Sequence, residues 1–138
     1  MITAYIDGGA RGNPGPAGYG VHIEGPDGEL LDELHGGIGV ATNNIAEYNG
    51  LLAALRWAAE HGHHEVHIRA DSELLVKQMR GEYRVKHENL KPLFLQACVL
   101  IRRIGDVTFE HIRREFNEDA DRLSNLGMDE AEQSLRRA

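Results

Sequence analysis

The chain opens on a strict alternation. In "ITAYID", Ile2, Ala4 and Ile6 fall on one side and Thr3, Tyr5 and Asp7 on the other, the period of a half-buried strand. A stretch dense in glycine and proline follows, and "AGYGVHIE" then resumes an extended pattern. "GPDG" marks a turn into "ELLDELHGGIG", so the first third reads as an antiparallel meander of three strands. The period changes within "ATNNIAEYNGLLAALRWAAEHG", where Leu51, Ala54, Leu55 and Ala58 recur at helical spacing. Thr42, Asn43 and Asn44 lie just before the start of this helix and Gly62 stops it. Beyond it come a strand "EVHIRAD", a helix "SELLVKQMRG", a loop "EYRVKHEN", a helix "LKPLFLQACVLIRRIG", a strand "DVTFEHI" and a helix "NEDADRLSNLGMDEAEQS". The terminal "SLRRA" is expected to fray. No repeat or low-complexity linker interrupts the order βββαβααβα, which predicts an α/β fold. One mixed sheet carries helices packed on it, in a single domain over residues 1–138.

Four acidic residues stand out from this pattern. Asp7 ends the first strand before the glycines, and Asp71 ends "EVHIRAD" before a helix. Glu47 lies four, seven, eight and eleven residues before Leu51, Ala54, Leu55 and Ala58, so it shares their inward face, where a charge is costly without a partner. Asp121 sits inside "NEDAD", beside the apolar row Ala120, Leu123 and Leu126. Each has an ordinary reading: Asp7 as a turn former, Asp71 as a helix cap, Asp121 as a partner of its helix dipole. Glu47 resists one, because capping needs no inward-facing carboxylate. If the four converge, they repel one another unless a cation neutralises them. An all-oxygen donor set favours Mg²⁺ or Mn²⁺ over zinc. The glycine stretch is not a phosphate cradle, since it lacks a Lys-Ser/Thr pair and leads into a strand rather than a helix N-terminus.

The totals constrain the picture less. The chain has 138 residues, 41% hydrophobic and 27% charged, enough for a real core. Its net charge of -7 argues against a nucleic-acid partner unless local chemistry overrides it. No apolar run is long enough to span a bilayer and no basic-then-apolar leader opens the chain, so no membrane partner is expected. The lone Cys98 fits a reducing cytoplasm, reads as a buried packing residue, and nothing demands more than a monomer. His61, His63, His64 and His67 span a helix end, a turn and a strand start without cysteines, which argues against a zinc site. Trp57 and Phe94 follow helical apolar patterns and read as core or rim.

"DGGARGNPGPAGYG", "TNNIAEYNGLLAAL", "ADSELLVKQM" and "NEDADRLSN", in this order and spacing, resemble the type 1 ribonuclease H family almost from end to end. The resemblance implies a ribonuclease H-like fold with a five-stranded mixed sheet. It also implies a metal-dependent endonuclease that hydrolyses the RNA strand of RNA–DNA hybrids. Two Mg²⁺ or Mn²⁺ ions would act together, leaving 5′-phosphate and 3′-hydroxyl ends. It maps the metal-binding carboxylates onto Asp7, Glu47, Asp71 and Asp121, with the Gly8 backbone as a further ligand and Asp119 as the weaker choice for the fourth position.

Hybrid recognition would fall to short polar groups in a wide minor groove. Asn13, Asn43 and Asn44 are then groove contacts, together with backbone amides of the glycines, and Thr42 is a phosphate contact. Two departures from the family pattern matter. Glu73 stands where many members have glutamine, which weakens a groove contact. No histidine falls on the loop before the last carboxylate, where "HIRREFNED" offers Arg114 or Glu115, so Glu115 or Glu118 is an auxiliary candidate. In place of a full basic protrusion, Lys77, Arg80, Arg84, Lys86 and Lys91 outnumber Glu82 and Glu88 around Tyr83, a track on which Arg84 and Lys86 would meet phosphates. The same fold cutting duplex RNA or DNA junctions fits "TNN" and "GGARGN" less well. A hybrid binder that does not cut would gain nothing from four repelling charges.

Overall fold

The computed structural model describes residues 1–137. Five strands, β1 (Ile2–Ala10), β2 (Gly15–Glu24), β3 (Leu30–Ala41), β4 (Glu65–Ala70) and β5 (Asp106–His111), form one sheet in the order β3-β2-β1-β4-β5. The β1–β2 and β2–β3 pairs are antiparallel, and β1–β4 and β4–β5 are parallel, so the sheet is mixed as expected. Four helices complete the fold: α1 (Asn43–Glu60), α2 (Glu73–Met79), α3 (Lys91–Ile104) and α4 (Glu118–Arg137).

The alternation of β1 sorts its two faces. Ile2, Ala4 and Ile6 join Val21, Ile23, Val66 and Ile68 beneath Leu51 and Leu55 of α1, all buried. The helix is covered by α3 on its outer side, which is why so much of its circumference is apolar. On the opposite sheet face, α4 lies across β2 and β3. Glycines allow both approaches. A Cβ on Gly8 would overlap the backbone of Ala46 and Glu47, and a Cβ on Gly20 would overlap Ala120 and Ser124.

Several boundaries differ from the sequence expectation. β1 does not end at Asp7: Gly8, Gly9 and Ala10 continue it, paired with Tyr19, Gly18 and Ala17 of β2. Gly8 and Gly9 are strand residues and not a loop, and Gly8 makes room for α1. Asn43 and Asn44 are the first two residues of α1 rather than its flank, while Thr42 is the cap, its Oγ1 accepting from the Ile45 N–H at 3.2 Å. Of the terminal "SLRRA", Ser134–Arg137 continue α4, and Ala138 lies outside the described residues. A 3₁₀ turn at Arg114–Phe116, unforeseen from the sequence, precedes α4. Leu126 is exposed, and the buried row of α4 runs through Ala120, Leu123, Ser124 and Gly127 instead. Cys98 is half-buried rather than buried. No helix among the described residues is long and apolar enough to cross a membrane.

Candidate active site

The parallel ladder of β1 and β4 ends at the pair Ile6–Ala70, so Asp7 and Asp71 each follow the last paired residue. Neighbouring strands lie about 4.8 Å apart, which brings the two carboxylates side by side without any loop geometry. Ser72, and not Asp71, caps α2, its hydroxyl accepting from the Leu75 N–H at 3.2 Å. Gly8 lets the first turn of α1 rest on β1, and this brings Glu47 in from above. One carboxylate oxygen from each of Asp7, Glu47 and Asp71 lies within 4.8 Å of the others. Asp121 comes from the first turn of α4 and lines the same cavity of about 430 Å³. Gly8, Gly9, Asn43, Ser124 and Met128 complete much of its wall.

Burial makes this cluster electrostatically costly. Asp7 is 7% exposed and Glu47 is 8% exposed. Burial, then the charges of Asp71 and Asp121, push the Asp7 carboxyl from 3.8 to about 7. Burial, then Asp7 and Asp71, raise Glu47 well above the usual range, and burial raises Asp71 as well. Glu47 Oε2 is buried with no hydrogen-bond partner among the described residues. A buried, unpartnered carboxylate oxygen facing two other carboxylates, with oxygen the only donor type, fits a hard divalent cation. Asp7, Glu47, Asp71 and Asp121 are the residues able to hold it.

Three neighbours that sequence reasoning left unassigned support the cluster. Asn117 Nδ2 donates to the Ile6 carbonyl at 2.9 Å, and the same amide beside Asp71 holds that carboxyl down against the effect of burial. The Asn117 carbonyl accepts the Asp121 N–H at 3.0 Å, so one residue ties the start of α4 to the end of the β1–β4 ladder. Its place at the head of "NEDAD" is the only signal the sequence offers for it. Ser124 Oγ lies 3.2 Å from Asp7 Oδ2 and 2.8 Å from the Asp121 carbonyl. Arg114 lines the cavity and lowers Asp71 by its charge.

The other candidates divide. Asp119 lies away from the cavity, beside His22 and paired with Arg122 at 3.6 Å. Two residues apart on a helix, Asp119 and Asp121 point to opposite sides. Glu115 and Glu118 line an adjoining hollow with Tyr5, His22 and Glu24, not the carboxylate cavity. Asn43 Oδ1 accepts the Ala10 N–H at 2.8 Å, and Asn13 Oδ1 accepts the Asn43 N–H at 3.0 Å. Asn44 borders a hollow with Asn13 and Thr42 and a second one with Tyr83, Arg84 and Lys86. Glu73 is exposed and pairs with Lys77 at 2.8 Å, while Lys77 also sits 4.8 Å from the Tyr83 ring centre.

A family model described as reverse transcriptase-like matches residues 5–127. A bifunctional protein of Mycobacterium tuberculosis is 46% identical over 134 residues, covering 96% of this chain and 37% of that protein. Ribonuclease HI of Halobacterium salinarum is 40% identical, covering 94% of this chain and 65% of its own length, so this chain spans about one third to two thirds of those relatives. The solved structure of LC11 ribonuclease H1 in complex with an RNA/DNA hybrid superposes with a TM-score of 0.90 at 45% identity, covering 95% of this chain and 99% of that one. The chain belongs to the type 1 ribonuclease H family. Membership implies dependence on a divalent metal, and the carboxylate cavity has the donor set for one.

Proposed function

We propose that this protein is an endonuclease that hydrolyses the RNA strand of RNA–DNA hybrids, using Mg²⁺ or Mn²⁺ in a two-metal site and leaving 5′-phosphate and 3′-hydroxyl ends. The observation that carries the reading is the set of converging carboxylates with the unpartnered Glu47 Oε2 among them. Divalent ions bound there would supply a lowered water pKa and neutralise charge on the phosphodiester. Asp7, Glu47, Asp71 and Asp121 would hold them, with the Gly8 backbone alongside. Ser124 and Asn117 keep Asp7 and Asp71 oriented, and Arg114, on the loop where several family members place a histidine, brings positive charge to the cavity.

Recognition follows the surface leading out of the cavity. Asn43 lines the cavity itself, Asn44 and Asn13 come next, and Arg84 and Lys86 lie beyond Asn44. Short amides would read 2′-hydroxyls of the RNA strand, and the two cations would meet backbone phosphates. Thr42 would donate its hydroxyl proton to a phosphate while its oxygen still accepts from the Ile45 N–H. Glu73, tied to Lys77, would contribute a weaker groove contact than glutamine. One chain supplies all four carboxylates, and we take the protein to act as a monomer in the cytoplasm.

Labelled hybrid, duplex RNA and duplex DNA incubated with Mg²⁺, Mn²⁺ or EDTA test this reading. Products from the RNA strand of the hybrid alone, and none in EDTA, are expected. Cleavage in EDTA, or equal cleavage of duplex RNA, would overturn it.

A further inference from the structure

Arg11 is the one cation in the turn between β1 and β2, and its guanidinium is already engaged. Nη1 donates to Asp129 Oδ1 at 2.7 Å and to Glu132 Oε1 at 2.9 Å, and Nη2 lies 3.3 Å from Asn125 Oδ1. All three acceptors belong to α4, and Asn125 also lines the carboxylate cavity. The same turn is tied to α1 through Ala10, Asn13 and Asn43, and the Arg11 N–H donates to the Pro16 carbonyl at 2.9 Å. The turn is therefore where the two helices that bring Glu47 and Asp121 are fastened together at the cavity rim.

We propose that Arg11 is a positioning residue: clamped by Asp129 and Glu132, it fixes the Asn13–Asn43 edge against the α4 wall and so sets hybrid affinity without touching the hybrid. This rests on the hybrid-cleaving reading above. A free arginine at this rim would be an obvious phosphate contact. Turning it outward, however, would leave Asp129 without its cation and Glu132 with only Arg136 at 3.7 Å, beside a polyanion. The clamp has no direct bond to any of the four carboxylate groups: it reaches Asp121 only at its main-chain carbonyl, to which Asn125 Nδ2 donates at 2.9 Å, while Asp7 and Asp71 are held by Ser124, Asn117 and the β1–β4 ladder. Affinity and turnover should accordingly separate.

Kinetics of Arg11→Ala, of the double variant Asp129→Asn with Glu132→Gln, and of all three combined test the clamp. Simple electrostatics gives the first two opposite signs, because removing two carboxylates favours a polyanion and removing an arginine disfavours it. The clamp gives them the same sign. KM rises about fivefold in each, kcat stays within about twofold, and the triple variant is no worse than either parent. The salt slope of hybrid binding is unchanged in Arg11→Ala, since no phosphate contact is lost. Without nucleic acid, the amides of Ala10, Arg11 and Asn43 exchange faster in both variants. Tighter binding by the double variant, a slope reduced by about 0.9 in Arg11→Ala, or unchanged amide exchange would overturn the proposal. If the wild-type protein fails to cut hybrid, the functional reading falls, and amide exchange still decides the clamp.

Discussion

Asp7→Asn should stabilise the metal-free protein while abolishing hybrid cleavage. The Asp7 carboxyl titrates near 3.8 unfolded and is pushed up to about 7 in the fold. The folded state therefore keeps a proton that the unfolded chain has released. Stability from this group is complete below about pH 4 and is lost as the pH rises through 7. At about 1.4 kcal/mol per pKa unit, the ionised group costs the fold on the order of 4 kcal/mol at pH 8. Asparagine keeps the shape and one oxygen for the Gly8 N–H, which now donates to Asp7 Oδ1 at 2.9 Å. It fits the remaining contacts imperfectly, so recovery of about half that cost, about 2 kcal/mol, is expected. For a chain of this length that is about 6–8 °C in Tm. Thermal melts in EDTA should show the variant above wild type at pH 8 and the difference shrinking towards pH 5. Mg²⁺ should raise the wild-type Tm and leave the variant nearly unmoved. Cleavage should fall by about 10³-fold or more, since a ligand to the ions that activate water is lost. A variant that melts lower than wild type at pH 8 in EDTA, or a gap that does not change with pH, would refute the charge argument.

Three further outcomes are expected. Gly8→Ala places a Cβ inside the backbone of Ala46 and Glu47 and should cost about 3 kcal/mol, with activity falling further than stability because Glu47 is displaced; a melt within 2 °C of wild type, with a normal rate, would contradict it. Both ring nitrogens of His22 meet carboxylates at 2.9 Å, Glu33 through Nδ1 and Glu24 through Nε2. Burial alone would lower the His22 pKa, but these partners raise it, so its stabilisation is present below about pH 6.5 and lost as the pH rises through the raised value. In an Asp7→Asn background, His22→Gln should therefore flatten the Tm–pH curve between pH 6 and 8, and an unaltered slope would assign that titration elsewhere. Arg114→Ala should slow cleavage about tenfold while the Tm stays within 2 °C, and full activity would remove the arginine from the reaction.

Glu47 and Asp71 were legible because each obeys a local rule. A carboxylate on the apolar stripe of a helix has no ordinary use, and a strand followed at once by a helix puts its last acid at the sheet end. The reach of β1 was not legible. Gly8 and Gly9 have low strand propensity, and what extends the strand is pairing with Tyr19 and Gly18, a contact the local pattern does not contain. The steric use of Gly8 was not legible for the same reason, since the first turn of α1, more than thirty residues on, is what needs the space. Asn117 and Ser124 carry no periodic signal, and their importance lies in bonds to Ile6 and Asp7 across the whole chain. On α3, apolar residues cover more than one face, so spacing could not tell that Cys98 would be only half-buried.

The end of the β1–β4 ladder has a consequence for how this protein fails with heat. The separation of Asp7 and Asp71 is a property of peptide hydrogen-bond spacing, so it cannot loosen gradually while the ladder stands. Substitutions in the distant core can lower the melting point without retuning the distance between these two acids. The Asp7–Asp71 pair therefore has no softer step of its own before the central strands part. Any loss of activity below the melting point should be traceable to Glu47 or Asp121, which ride on α1 and α4.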